Sequence, residues 1–146
     1  MHKVPALKVA PISGSILEKN EKIQSWFQRL IQKSQEGAII IVEGKKDAKA
    51  LERLGVIGPI FCIKTKRTSL PDALHRFVDI KNELIILVDF DRTGHRLVGK
   101  IVKYLERSGK SPNLHFWMKI HGLTYNDIKD VEGLVSYTQN IENKVV

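Results

Sequence analysis

The chain has 146 residues, which is enough for one domain with a hydrophobic core and a short extension. Its residues are 42% hydrophobic and 27% charged, as is typical of a globular protein, and no apolar run reaches the roughly 20 residues that span a bilayer. A single cysteine, Cys62, excludes an intramolecular disulfide and a cysteine-based zinc site. The first eleven residues lack a signal-peptide pattern, so we expect a cytoplasmic protein with no membrane partner.

The formal net charge is +8, and most of the surplus lies in the middle of the chain. Residues 37–119 carry sixteen basic and nine acidic side chains, whereas residues 120–146 carry two basic and four acidic ones. A positive balance favours polyanionic partners such as nucleic acid, although many proteins are mildly basic. Charge therefore makes nucleic acid a candidate partner and does not by itself choose it.

The N-terminal part, residues 1–36, is predicted to be an irregular arm followed by an amphipathic helix over Ile16–Gln35. Apolar residues recur at close to helical spacing from Ile16 to Ile31, and Gly37 would end the helix. This helix either covers the sheet of the following domain or forms an interface with a protein partner or with a second copy in a homodimer.

Strand and helix patterns alternate through the rest of the chain. This order predicts an α/β fold with a parallel sheet that helices cover on both faces. Ligands of such sheets bind at the carboxyl ends of the strands. The predicted strands are Ala38–Val42, Pro59–Ile63, Leu84–Val88 and Leu114–Met118. The predicted helices are Asp47–Leu54, Leu70–Val78, Thr93–Arg107 and, more weakly, Asp127–Asn143.

Two of the predicted strands end in acidic residues. Glu43 follows the first strand, and Asp89 and Asp91 follow the third. If these strands are parallel neighbours, the three carboxylates meet at one edge of the sheet. Hard divalent cations such as Mg²⁺ take oxygen ligands, and one or two carboxylates with substrate phosphates suffice. An isolated Asp-x-Asp is also typical of a polar strand end with a helix cap, so the combination with Glu43 favours a metal site.

Two segments resemble the motifs of the Toprim family. Residues 39–48, IIIVEGKKDA, match an apolar strand followed by E-G-x-x-D-A, and residues 84–94, LIILVDFDRTG, match an apolar strand followed by D-x-D-x-x-G. Residues 129–134 are similar to a further short motif of the small stand-alone Toprim proteins and the 5S ribosomal RNA maturation nucleases. The resemblance predicts a Toprim domain over residues 37–135, followed by a tail of residues 136–146.

The resemblance implies a Rossmann-like domain with a four-stranded parallel sheet. In the family, the glutamate that matches Glu43 acts as a general acid or base, and the aspartates that match Asp89 and Asp91 hold magnesium. We therefore expect these three residues to be catalytic and metal-binding, with Mg²⁺ or Mn²⁺ as the cofactor. A metal there would neutralise charge on phosphoryl oxygens and activate water.

The chain departs from the topoisomerase-type motif, which continues D-x-D-R-E-G-E. Arg92 is retained, but Thr93 and His95 stand where the two glutamates lie in that motif. A site with fewer ligands binds metal more weakly or depends on Asp130 or Glu132 from the C-terminal segment. Those two residues are equally consistent with solvated surface.

Basic residues surround the predicted site. Four of them occupy one stripe of the helix that follows Asp91, at positions i, i+4, i+7 and i+11. A solvated helix face is the simple interpretation, but like charges on one stripe repel each other, which favours a surface that follows phosphates. Phe90, between the two aspartates, either stacks on a base or packs under the loop. The predicted nucleic-acid contacts are Lys45, Lys46, Lys64, Lys66, Arg67, Arg92, Arg96, Lys100, Lys103 and Arg107.

Two functions are consistent with these features. The first is a magnesium-dependent nuclease that acts on structured RNA, as the resemblance to the 5S ribosomal RNA maturation nucleases implies. The second is a non-catalytic RNA- or DNA-binding protein, or an adaptor in a nucleic-acid-processing complex. Topoisomerase and primase activities are not expected, because they require further domains that a chain of this length does not hold.

Overall fold

The computed structural model describes residues 16–64, 68–124 and 128–145, with side chains as far as residue 140. Six helices and three strands lie within these ranges. The strands are β1 (Ile39–Val42), β2 (Ile60–Cys62) and β3 (Leu84–Ile86). The helices are α1 (Ile16–Gln35), α2 (Lys45–Leu54), α3 (Leu70–His75), α4 (Arg92–Arg107), α5 (His115–Leu123) and α6 (Val131–Val145).

The three strands form a parallel sheet in the order β2-β1-β3. All four residues of β1 and all three of β3 are buried. Because successive side chains of a strand point to opposite faces, burial of every residue means that both faces of the sheet are covered. This confirms the predicted α/β architecture with a parallel sheet.

The predicted fourth strand, Leu114–Met118, is wrong. Within the described residues the sheet has three strands, and His115–Leu123 is helix α5. What remains of the strand is one residue, Asn113, whose N–H donates to the Leu84 carbonyl and whose carbonyl accepts from the Ile86 N–H. The Asn113 side chain then accepts a hydrogen bond from the His115 N–H at 2.8 Å, which turns the chain into the helix.

Helix α1 covers the domain instead of standing apart from it. Its residues Ile23, Phe27 and Leu30 are at most 2% exposed and belong to the same hydrophobic core as the sheet. The helix packs against α5, which begins beside β3. The apolar face of α1 is therefore buried against the rest of this chain. A contact between α1 and a second copy of the chain stays a prediction.

The C-terminal helix α6 packs against α2 and runs through residues 135 and 136, where the predicted Toprim domain ends and the predicted tail begins. The arm over residues 1–15 lies outside the described residues. The proposed division of the chain at residues 36 and 135 stays a prediction. No helix in the described ranges is long and apolar enough to cross a membrane.

The strand order of the sheet reverses at one point, between β1 and β3. From β1 the chain moves to β2 on one side, and it then returns past β1 to β3 on the other side. The carboxyl ends of β1 and β3 flank this reversal of strand order, which is where open parallel sheets bind their ligands.

Candidate active site

Glu43 directly follows β1 and is buried, with 4% of its surface exposed. Its Oε1 accepts a hydrogen bond from the Asp89 N–H at 3.2 Å, so the ends of β1 and β3 are joined by this side chain. Its Oε2 lies 3.2 Å from the ammonium of Lys64, which follows β2. The hydrogen bond from Lys64 to Glu43 raises the pKa of the lysine. The ends of all three strands are thus connected through one carboxylate.

Asp89 follows the apolar run that contains β3, and its carboxyl group is in a strongly acidic environment. Its Oδ1 is buried and has no hydrogen-bond partner among the described residues. Burial, followed by the charges of Asp47, Glu43, Asp130 and Asp91, raises the pKa of Asp89 to about 7. An ionised Asp89 therefore lacks the compensation that a buried carboxylate requires.

Asp91 is the N-cap of helix α4. Its Oδ1 accepts a hydrogen bond from the Gly94 N–H at 2.7 Å, which satisfies one free amide of the first turn. A Cβ at Gly94 would lie 1.9 Å from the Asp89 carbonyl oxygen. The glycine of the second motif is therefore needed here because the first turn of α4 touches the backbone of Asp89.

Asp47 is a site residue that the sequence analysis did not single out, although it is the aspartate of the first motif. It is buried, and its Oδ2 accepts a hydrogen bond from the Gly44 N–H at 3.2 Å. The backbone N–H of Glu132 donates to the same side chain. Burial nevertheless raises the pKa of Asp47, and the charge of Glu43 adds to this rise. The signal for this role was its position three residues after Gly44, where an acidic side chain folds back on the start of a helix.

The C-terminal segment closes one side of the cluster. The Phe90 N–H donates to the Lys129 carbonyl at 2.7 Å, next to Asp89 and Asp91 in the chain. Asp130 is close enough to raise the pKa of both Asp47 and Asp89. Its Oδ1 accepts from the Gly133 N–H at 2.6 Å. Of the two acids predicted to supplement the site, Asp130 contributes charge, whereas Glu132 contributes its backbone N–H.

An aromatic cluster lies beneath the Asp89–Asp91 loop. Phe90 is 5% exposed and stacks on His121, with ring centroids 5.0 Å apart, so it packs under the loop. The Trp117 Nε1 donates to the Asp89 carbonyl at 3.4 Å, and His95 packs edge-on against Trp117. Burial lowers the pKa of His121. Trp117 and His121 are absent from the predicted site because the segment around Trp117 was predicted to be a strand.

Eight of the ten basic residues predicted to contact nucleic acid lie in the described parts of the chain, either just after β1 and β2 or along α4. Lys45 and Lys46 are exposed on the first turn of α2, and Lys64 pairs with Glu43. Lys66 and Arg67 lie outside the described residues. The others are exposed along α4, opposite its buried residues. They are Arg92, Arg96, Lys100, Lys103 and Arg107.

The described residues contain no set of three or more histidine, cysteine, aspartate or glutamate side chains that is already arranged to hold a metal ion. Both oxygens of Glu43 are engaged by the Asp89 N–H and Lys64, and Asp91 uses one oxygen to cap α4. The carboxylates meet at one edge, but two of the three predicted ligands have protein partners.

Comparisons with known proteins identify the family. Residues 38–120 match the Toprim domain, and the chain belongs to the Toprim family. It is 38% identical over 124 residues to a UPF0292 protein of Methanosarcina acetivorans, which covers 85% of each chain. A UPF0292 protein of Methanocaldococcus jannaschii is 36% identical over 119 residues, which are 77% of this chain and 91% of the relative. A solved structure of an Aquifex aeolicus protein is similar over 68% of this chain and 94% of its own, with a TM-score of 0.53 and 28% identity.

Proposed function

We propose that this protein is a Mg²⁺- or Mn²⁺-dependent phosphodiesterase that cleaves structured RNA. The observation that carries the proposal is Asp89, whose buried Oδ1 lacks a partner among the described residues and whose pKa is raised to about 7 among four other carboxylates. A group of like charges at a ligand-binding crevice is costly unless a cation offsets it. Toprim domains typically bind Mg²⁺ at such carboxylates, so a bound Mg²⁺ would offset the repulsion between them.

The donor set fits a hard divalent cation. Every candidate ligand is a carboxylate oxygen, and Asp89 offers an oxygen without a hydrogen-bond partner in the part of the chain that the structure describes. Asp89 and Asp91 would hold the ion, with Asp130 contributing charge from the C-terminal segment. When bound, the ion would supply positive charge at phosphoryl oxygens. A nucleic-acid backbone brings phosphate oxygens that complete the ligand sphere.

Glu43 is the candidate general acid or base, in keeping with the family resemblance. The Asp89 N–H fixes its Oε1, which orients the carboxylate toward the crevice at the strand ends. Lys64 lies against its Oε2 and is exposed, so an incoming phosphate can compete for the ammonium. Substrate binding would then move Lys64 from Glu43 to a phosphate and leave Oε2 able to exchange a proton.

The decisive experiment is cleavage of structured RNA, single-stranded DNA and double-stranded DNA with Mg²⁺ or Mn²⁺. Glu43→Gln keeps the acceptor for the Asp89 N–H and removes the proton-exchanging carboxylate, so it should still bind RNA and cleave it about 100-fold or more slowly. The matched control is Asp79→Asn, an exposed residue in the loop before β3, at the opposite edge of the sheet. Equal traces of cleavage by the wild type and Glu43→Gln would identify a contaminant and refute the proposal.

Metal binding is tested separately, by thermal unfolding with and without Mn²⁺. The wild type and Asp79→Asn should be stabilised by the ion, because a ligand that binds the folded state shifts the unfolding equilibrium. Asp89→Asn should lose this response. Stabilisation of Asp89→Asn equal to that of the wild type would remove Asp89 from the metal site.

The basic stripe of α4, formed by Arg96, Lys100, Lys103 and Arg107, is proposed to follow the phosphate backbone away from the site. Lys100→Glu with Lys103→Glu should weaken RNA binding about tenfold or more and lower the slope of log affinity against log salt by about two. Lys49→Glu with Lys81→Glu makes the same charge change at exposed positions off this helix and is the control. Equal losses in the two double variants would reduce the stripe to an effect of net charge.

A specific observation supports a second candidate, nucleic-acid binding without cleavage. Both oxygens of Glu43 already have protein partners, and Thr93 and His95 replace the glutamates of the topoisomerase-type motif. Metal-dependent RNA binding by the wild type, with no cleavage of any substrate, would establish this function instead.

A further inference from the structure

A cavity of about 440 Å³ lies on the other flank of the molecule, between α1 and the start of α5. This volume is within the range of about 300–1,000 Å³ that is typical of small-molecule sites. Asn113 pairs with Leu84 and Ile86, and Lys33 pairs with Glu83, so the cavity lies beside β3 and toward its amino end. The carboxylate cluster lies at the carboxyl end of the same strand. The residues that line the cavity include Trp26, Arg29, Gln32, Lys33, Asn113 and His115.

The cavity wall is built around a fixed aromatic ring. Trp26 is half-buried, and Phe116 holds its indole edge-on at a centroid distance of 5.6 Å and an angle of 85°. The exposed His115 ring lies 6.4 Å from Trp26 and within 25° of parallel. Two nearly parallel rings thus line one opening, which is the arrangement on which planar bases stack.

Polar and charged groups surround the rings. The guanidinium of the exposed Arg29 lies over the Trp26 ring, 4.7 Å from its centroid, so a base that stacks on this face displaces the guanidinium toward its phosphate. Gln32 adds an amide whose oxygen can accept from the edge of a base, while its nitrogen donates to Glu36 at 3.3 Å. The Asn113 amide is held by the His115 N–H and by Glu83 and shapes the wall of the cavity. A guanidinium next to a stacking ring is suited to the phosphate that accompanies a base.

From these observations we infer that this cavity binds an unpaired nucleobase together with its phosphate. The base stacks on Trp26, and Arg29 contacts the phosphate. The ligand chemistry is shared by a free nucleotide and by a nucleotide in a single-stranded segment of RNA.

The two tryptophans make the inference directly measurable. Trp117 is 0% exposed, whereas Trp26 is half-buried in the cavity wall, so a ligand that stacks in the cavity quenches the fluorescence of Trp26. The full chain is titrated in EDTA with adenosine monophosphate, with ribose 5-phosphate as the ligand that lacks a base, and with a six-residue oligoadenylate. We expect quenching by the first and third ligands only, and tighter binding of the oligoadenylate if the source is an RNA strand.

Variants separate the cavity from the active site. Trp26→Phe should abolish the quenching, and Arg29→Ala should weaken binding about tenfold. Lys119→Ala, an exposed position on α5 outside the cavity wall, is the matched control and should behave as the wild type. Asp89→Asn should also bind normally, so failure of the proposed nuclease function leaves this result unaffected. If Trp26→Phe does not fold, the affinity of Arg29→Ala for adenosine monophosphate decides whether the cavity is the binding site.

Two results would overturn the inference. One is the absence of quenching by adenosine monophosphate and oligoadenylate at millimolar concentration. The other is unchanged affinity in Arg29→Ala together with equal quenching by ribose 5-phosphate, which would show that no base is recognised.

Discussion

The two ends of the sheet differ in how completely their charged side chains are paired. At the amino end of β3, Lys33 lies 3.2 Å from Glu83, and the Asn82 side chain donates to the Gly37 carbonyl at 2.8 Å. At the carboxyl end, the ammonium of Lys64 pairs with Glu43, and one oxygen of Asp89 has no partner in the described residues. The amino end is built for stability. The carboxyl end leaves carboxylate charge uncompensated at the place where we propose that a ligand binds, and the rest of the core supports that cost.

The largest expected effect tests how tightly the carboxyl end is packed. Gly94→Ala places a Cβ 1.9 Å from the Asp89 carbonyl oxygen, so we expect the free energy of unfolding to fall by about 3 kcal/mol or more. Gly99→Ala is the control on the same helix, because a Cβ there meets nothing within 4 Å, and it should gain about 0.5–1 kcal/mol. Urea unfolding of both variants measures this. Similar stabilities would contradict the close approach of α4 to Asp89.

The next effect tests the uncompensated charge. The pKa of Asp89 is about 7 in the folded protein, against an ordinary value of 3.8, so the folded state holds a proton that the unfolded chain has released between these pH values. Stability of the metal-free protein should therefore fall as pH rises from about 4 to 7 and then level off. Asp89→Asn should lessen this fall, with the remainder due to Asp47, and should gain on the order of 1–2 kcal/mol at pH 8 because solvent screens a half-buried group.

The amino end supplies the control for this prediction. Glu83→Gln changes a carboxylate to an amide in the same way but breaks an ion pair, so it should lose up to about 1 kcal/mol. Urea unfolding at pH 5 and pH 8 in EDTA compares the two variants. A loss of stability in Asp89→Asn at pH 8 would show that the carboxyl end is compensated after all.

The smallest expected effect concerns the ion pair at the amino end of the sheet. The pair Lys33–Glu83 is partly exposed, with 42% and 38% of the two side chains accessible. A double-mutant cycle with Lys33→Ala and Glu83→Ala should give a coupling energy of about 0.2–1 kcal/mol that shrinks in 1 M salt. A coupling of several kcal/mol would mean that the amino end depends on this pair and is not simply well matched.

The sequence predicted the parts of the fold that depend on long, unmistakable patterns. The buried runs that contain β1 and β3, the helix after Asp91 and the helix Ile16–Gln35 all exist near their predicted bounds. The strand predicted after Asn113 was wrong, because a short apolar run does not distinguish a strand from a buried helix. Phe116, Trp117, Ile120 and Leu123 are all buried, and their spacing fits a helix once the segment is extended past Met118.

The site was predicted as far as motifs identify single residues. Glu43 and Asp89 do meet, through a 3.2 Å hydrogen bond that links two strand ends. The partners of these residues depend on tertiary contacts that no local pattern carries. These include the placement of Lys64 on Glu43, the bridge from Asp47 to α6 and the packing of His121 under Phe90. The assignment of Glu43, Asp89 and Asp91 as catalytic residues stays a prediction.

The hydrogen bond from the Phe90 N–H to the Lys129 carbonyl also bears on how the protein folds. It joins residues 39 positions apart, and the charges around Asp89 come from residues as distant in the chain as Asp47 and Asp130. Contacts of such large sequence separation form late, because the chain must first lose the entropy of the intervening loops. The residues of the sheet and of α4 are synthesised before residue 130, whereas the charge of Asp130 and the Lys129 carbonyl come after them. The acidic cluster that the structure describes therefore needs residue 130 to be complete.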